Sequence, residues 1–182
     1  MNHNEILEFA LETALAAGAA AGILQIFRLT RVVGISMEPN FHQNDCLLIE
    51  RQAYRKKQPV PGDVIVFRSQ LKDRRGRRKY FLKRVIAVPG DEVRIRDGKV
   101  FVNGMEQDES FTFDRTTEQG FEGTVPERCV FCLGDNRQNS MDSRSPAVGY
   151  VPFSEIIGRI TFRVFPPGKI GRIDRDLRSN RI

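Results

Sequence analysis

Residues 92–103 read Glu-Val-Arg-Ile-Arg-Asp-Gly-Lys-Val-Phe-Val-Asn, and this stretch decides the fold class. Val93 and Ile95 alternate with Arg94 and Arg96, the period of a half-buried strand. Asp97-Gly98 suits a two-residue type I′ turn into a second run, Lys-Val-Phe-Val, so the pair reads as a β-hairpin. Outward from it the pattern repeats. Asn103-Gly104 is another turn, and Pro61-Gly62-Asp63 and Pro89-Gly90-Asp91 punctuate strand ends. Between such breaks lie runs that predict strands at Cys46–Glu50, Val64–Arg68, Tyr80–Val88, Glu92–Arg96, Lys99–Asn103, Arg128–Leu133 and Ile156–Phe165. Helical periodicity of any length ends at Thr30. The expectation is an all-β domain of antiparallel sheets over residues 30–173, with a basic C-terminal tail at 174–182.

Upstream the character changes. Ile6 to Phe27 is mostly apolar, interrupted by Glu8, Glu12 and Gln25. The uncharged part, Thr13 to Phe27, is 15 residues, short of the roughly 20 needed to cross a bilayer. Starting at Phe9, with Glu12 near the interface, gives 19, which suffices. No cation precedes the run, which argues against a cleaved secretory leader. Gly18 and Gly22 form a GxxxG spacing, a weak sign of close helix packing in so Ala-rich a segment. An amphipathic or buried soluble helix is the alternative; residues 1–29 are read as one transmembrane α-helix. Glu5, Glu8 and Glu12 lie before it, while Arg28 and Arg31 follow. By the positive-inside rule alone, that asymmetry puts the main domain in the cytoplasm.

Composition narrows the function classes. The chain has 182 residues, 40% hydrophobic and 29% charged, which excludes a disordered or fibrous protein. Twenty-nine Lys and Arg against 23 Asp and Glu give a net charge of +6, favouring anionic partners such as phospholipid or nucleic acid. With His3 and His42 the only histidines, His-rich metal cages are excluded and a Ser-His-Asp triad is disfavoured. Three cysteines do not make a disulfide framework. Cys129 and Cys132, three apart on a strand, face opposite sides and read as apolar filler rather than metal ligands. Two basic runs, Lys72 to Lys79 and Lys169 to Arg181, read as a solvated hairpin tip and tail or as lipid-facing charge. Aromatic residues do not interleave with either, which weakens a nucleic-acid reading.

Three places carry chemistry. Ser36, in Gly-Ile-Ser-Met-Glu-Pro-Asn, follows the junction of helix and domain. A turn serine is its plain reading; as a nucleophile it needs a base, and His42 has no orienting carboxylate except Asp45. Lys83 is the other candidate base. It lies on the apolar strand Tyr-Phe-Leu-Lys-Arg-Val-Ile-Ala-Val, where alternation places Phe81, Lys83 and Val85 on one face and Leu82, Arg84 and Ile86 on the other. Either Lys83 or Arg84 therefore points to the core. A solvated edge-strand lysine is the alternative, whereas burial would lower the amine pKa by up to about 3–5 units and make it a base. The third place is the polar block 134–144, where Asp142 and Arg144 can pair and Ser140 can bond an amine.

Taken in order, Gly-Ile-Ser-Met-Glu-Pro (34–39), Pro-Gly-Asp-Val-Ile-Val-Phe (61–67), Lys-Arg-Val-Ile-Ala-Val-Pro-Gly-Asp (83–91), Gly-Asp-Asn-Arg-Gln-Asn-Ser-Met-Asp-Ser-Arg (134–144) and Gly-Tyr-Val-Pro-Phe-Ser-Glu-Ile-Ile-Gly-Arg (149–159) resemble the bacterial type I signal peptidases, membrane-bound Ser-Lys proteases. The resemblance implies a serine endopeptidase that removes signal peptides from exported preproteins. It makes Ser36 the nucleophile, Lys83 the general base and Ser140 the serine that holds the lysine amine. Asp142 and Arg144 become the supporting pair, with Asp135 and Arg137 beside them, and Val32, Met37, Phe41 and Leu82 the wall of the substrate pocket. It implies no metal or organic cofactor. The implied partners are preproteins and the lipid bilayer, not nucleic acid. It also places the catalytic domain outside the plasma membrane on a single-pass anchor, against the charge rule, and we follow the resemblance because the substrates emerge on that side.

The departures are local. Asn40-Phe41 replaces the usual Thr-Leu, and Asn44-Asp45 the usual Gly-Asp. Gly34 stands where some relatives carry a hydroxyl, which leaves the Ser36 N–H as the matched oxyanion donor. A self-cleaving Ser-Lys repressor would need a helix-turn-helix that the Ala-rich N-terminus does not supply. A basic β module binding lipid or nucleic acid would tolerate Lys83→Arg, which catalysis by a neutral amine forbids.

Overall fold

The computed structural model describes residues 2–112 and 120–173. One helix, α1 (His3–Ile26), precedes twelve strands. Asn2 caps it, its side chain accepting from the Glu5 N–H while the Glu5 carboxylate accepts from the Asn2 N–H. Leu7–Ile26 is long and apolar enough to cross a membrane. Its large side chains, among them Leu7, Phe9, Leu11, Leu15 and Leu24, are exposed, so this helix joins no core of the β domain. The chain passes straight from Ile26 into β1 (Phe27–Arg31), so the sheet begins three residues before the expected boundary at residue 30.

The larger sheet is antiparallel, in the order β1, β2 (Cys46–Glu50), β11 (Ile156–Phe165), β3 (Val64–Lys72), β4 (Arg78–Ala87), β9 (Cys129–Leu133) and β10 (Val151–Pro152), with β12 (Gly171–Arg172) on β11. The smaller sheet runs β7 (Met105–Glu106), β6 (Lys99–Val102), β5 (Glu92–Arg96), β8 (Phe121–Thr124). Asp97 and Gly98 both have positive φ, as do Asn103 and Gly104, so both turns are the primed type that matches strand twist. Val60–Asp63 and Val88–Asp91 are the same Val-Pro-Gly-Asp turn used twice: the Asp N–H closes on the Val carbonyl, and the Asp carboxylate accepts from the Val N–H.

The strands missed in the sequence are short or lack alternation. β7, β10 and β12 have two residues each. β1 continues the apolar run and buries no side chain fully. β8 contains Gly123, where a Cβ would collide with the Tyr150 hydroxyl. Three apolar clusters hold the sheets. One, with Val93, Ile95, Val100, Val102 and Phe131, welds the smaller sheet to the ends of β4 and β9. The other two lie against successive residues of β3: Val64 and Val66 in one, Ile65 and Phe67 in the other. Both faces of that strand are therefore covered, and β4 lies between β3 and β9 rather than at an edge. Cys129 packs on the first cluster and Cys132 lies in the third, as expected for residues on opposite faces. The expected tail at 174–182 lies outside the described residues.

Candidate active site

Ser36 sits in the loop from Val32 to Asp45 that joins β1 to β2. This loop is closed at its base by Val32 N–H to the Asp45 carbonyl and Asn44 N–H to the Val32 carbonyl, both 2.9 Å. Asn44, where the resemblance leads one to expect glycine, has φ 72°, a left-handed conformation that Asn tolerates better than most residues. Gly34 has φ 90°, where any side chain, a hydroxyl-bearing one included, would be strained. The Asn136 N–H donates to the Ser36 carbonyl over 3.1 Å and fixes the loop against the polar block after β9.

Lys83 reaches this loop from the middle of β4. Its Nζ lies 2.7 Å from Ser36 Oγ in hydrogen-bond contact and donates to the Leu82 carbonyl at 3.0 Å. The residue is only 3% exposed, and the Phe81 ring lies 5.3 Å from the amine. Burial pushes its pKa down from 10.5 to about 8, against the opposing pull of the Asp142 and Asp135 charges. About one amine in ten is then neutral at pH 7, against roughly one in several thousand for an unperturbed lysine. A neutral amine in contact with a hydroxyl is the arrangement a base needs to take up a serine proton. The edge-strand alternative for Lys83 fails, because β4 is interior and the side chain is enclosed.

Alternation correctly separates Lys83 from Arg84, and the face opposite Lys83 is covered as well, so both are buried: Arg84 is 2% exposed. Its Nε and Nη2 donate to the two oxygens of Asp135, each at 2.8 Å, and Nη1 donates to the Gly62 carbonyl at 3.0 Å. Arg144 makes the same two-pronged contact with Asp142, both arms 2.8 Å, as expected. Asp142 also accepts from the Gly134 N–H. Arg137 donates to the Gly134 carbonyl and pairs with Glu109. Arg137, Asp142 and Arg144 are thus tied together through Gly134 and the Arg137 carbonyl, Asp135 is tied to Arg84, and each carboxylate is engaged by a guanidinium.

Two expectations do not hold. Ser140 does not bond the lysine amine: its Oγ is buried without a hydrogen-bond partner, and the Leu82 carbonyl takes the place expected for it. Ser140 nonetheless lies at the site, since a Cβ on Gly134 would collide with the Ser140 side chain and the Ser36 carbonyl. Glycine at 134 is what permits that approach. Phe41 does not wall the pocket either. The turn closed by its N–H on the Met37 carbonyl leaves the ring in the core, beside Met37 and Leu47 and under the Arg163 guanidinium. Val32, Met37 and Leu82 do line an open groove of about 1080 Å³ that also contains Ser36 and Lys83, room for an extended peptide segment.

The sequence also hid contributors. Asn40 donates its amide to Asp135 at 3.0 Å and to the Phe111 carbonyl at 2.9 Å, and the Phe111 ring lies 5.0 Å from the Arg84 guanidinium. The usable signal for Arg84 was its place beside Lys83 on an apolar strand. Glu109 and Phe111 come from a loop with no motif. His42 lies apart from the groove, half-buried, 3.7 Å from Glu38.

The family model described as signal peptidase, peptidase S26, matches residues 6–165. The chain is 34% identical to a probable signal peptidase I-2 of Synechocystis sp., over 95% of this chain and 79% of that one. It is 32% identical to thylakoidal processing peptidase 1 of Arabidopsis thaliana over 92% of its length, and spans 52% of that longer relative. A solved signal peptidase I structure from Enterococcus faecalis is 30% identical, covers 58% of this chain and 98% of its own, and superposes with a TM-score of 0.46.

Proposed function

Because the chain belongs to the signal peptidase family, peptidase S26, and is a serine peptidase with signal peptidase I function, we propose that it cleaves signal peptides from exported preproteins with a Ser36–Lys83 dyad. The observation that carries this is the 2.7 Å contact between a buried lysine amine and a serine hydroxyl on the wall of an open groove. Neutral Lys83 takes the Ser36 proton as Oγ attacks the scissile carbonyl. The ammonium so formed returns the proton to the leaving amine. Water, deprotonated by the same amine, then hydrolyses the acyl-enzyme. The Ser36 backbone N–H is the matched donor for the oxyanion. Asp135, Arg137, Asp142 and Arg144 hold the loop and strand in register, Ser140 packs against Gly134 beside them, and Val32, Met37 and Leu82 bound the pocket for small side chains.

α1 anchors the enzyme in the plasma membrane by a single span, with the β domain outside the cytoplasm. Its length and its exposed apolar surface support the anchor. Incubating the detergent-solubilised chain with a preprotein and sequencing the product tests the activity. A new N-terminus at the signal-peptide junction, missing with Ser36→Ala, is expected; the same cleavage by Ser36→Ala overturns the nucleophile. Protease added to intact spheroplasts should digest the β domain. Protection until lysis would restore the orientation given by the charge rule.

A further inference from the structure

We propose that the β3–β4 hairpin is a docking surface for the anionic phospholipid head groups of the bilayer that holds α1. The tip, Lys72 to Lys79, has six cations and one carboxylate. That carboxylate is consumed inside the turn. Asp73 Oδ1 accepts from the N–H groups of Arg75 and Arg77, and Oδ2 accepts from Arg77 Nε. Gly76, at φ 76°, lets the chain reverse. Arg78 is held by Glu155 at 3.0 Å. Lys72, Arg74, Arg75 and Lys79 are left exposed, and none of them forms an ion pair among the described residues. The acid fixes the shape of the tip and leaves its charge directed outward.

The position of this charge selects the partner. Arg31 and the hairpin's Arg77, Arg78 and Lys79 line the same groove. Arg31 follows the end of α1 by five residues of extended strand, so it lies within about 17 Å of the point where the chain leaves the membrane. Large exposed apolar side chains line the same groove: Val33 and Ile35 in the loop, Tyr80 on β4. Clustered cations, a tyrosine and aliphatic side chains beside a spanning helix make an interfacial surface. A nucleic-acid groove would present a run of stacked aromatic residues among the cations, whereas the exposed Tyr80 stands here beside aliphatic side chains. Each lysine or arginine at an anionic surface contributes roughly fivefold to association, and the effect is screened by salt.

This inference rests on the anchored reading, and its test separates the two. The chain contains no tryptophan, so Tyr80→Trp is a single reporter on the hairpin. The full-length protein would be placed in nanodiscs of phosphatidylcholine alone, or with phosphatidylglycerol added, each with brominated acyl chains. Blue-shifted, quenched emission is expected only with the anionic lipid, reversing at high salt. It should be lost in Arg74→Gln/Arg75→Gln/Lys79→Gln, which weakens docking roughly a hundredfold. It should persist in Arg94→Gln/Arg96→Gln/Lys99→Gln, an equal loss of charge on the exposed face of the smaller sheet. Equal emission in both discs, persistence in the hairpin variant, or a response to a soluble acidic peptide in neutral discs that exceeds the lipid response overturns the proposal. Failure of the chain to enter discs overturns the anchor and this proposal together, whereas insertion without a lipid response overturns only this one.

Discussion

Lys83 and Arg84 are neighbours on β4, equally buried, and surrounded in opposite ways. Arg84 lies among charges: both oxygens of Asp135 meet it at 2.8 Å, and Asp135 is further held by Asn40. Lys83 touches neutral oxygens, the Ser36 hydroxyl and the Leu82 carbonyl. A guanidinium does not give up its proton, so it can be buried only with a carboxylate to match. An amine does, and burial without such a contact lowers its pKa. Adjacent positions thus use one physical effect for two ends: enclosure pins a charge at 84 and loosens a proton at 83.

The contrast predicts first that Lys83→Arg, which keeps the charge and removes the discharge, lowers kcat by about a thousandfold or more, with the fold intact by circular dichroism. Substantial cleavage by the folded variant would end the distinction between the two sites. The second effect is on stability. Arg84→Met leaves Asp135 without its main partner and should cost about 3–5 kcal/mol in denaturant unfolding. The third has the opposite sign one residue away. Below about pH 8 Lys83 is protonated in folded and unfolded chains alike, and the burial penalty is present in full; between about 8 and 10.5 only the unfolded chain holds the proton, so stability rises with pH. Lys83→Met should therefore stabilise the protein at pH 7 by up to about 3 kcal/mol and flatten that rise. A destabilised Lys83→Met would show that the lysine is held by interactions that outweigh its desolvation. The smallest effect belongs to Ser140→Ala. With its Oγ unpartnered, the loss should be about tenfold or less in kcat, with little change in melting temperature.

The same contrast explains what the sequence made legible. Turn chemistry is local, so Asp97-Gly98 and the two Val-Pro-Gly-Asp turns marked strand ends correctly. Lys83 stood out because an apolar strand gives a cation no solvent. The burial of Arg84 was not legible because alternation assigns faces but does not say whether a second layer covers the outer one, and the partner that makes its burial tolerable is 51 residues away. Phe41 and Ser140 failed for a related reason. Both were placed by family correspondence, while a turn at Met37–Phe41 and the missing Cβ of Gly134 set where their side chains go. Glu109 and Phe111 reach the network from the smaller sheet's loop, a tertiary contact that no local pattern records.

Whether Lys83 acts as the neutral base is read from the pH dependence of kcat/KM for a preprotein substrate. The rate should rise with pH through one apparent pKa near 8. That limb should be missing from the residual activity of Lys83→Arg and unchanged in His42→Ala. An inflection that disappears in His42→Ala, or a profile still rising at pH 10 with no inflection below it, would contradict the assignment.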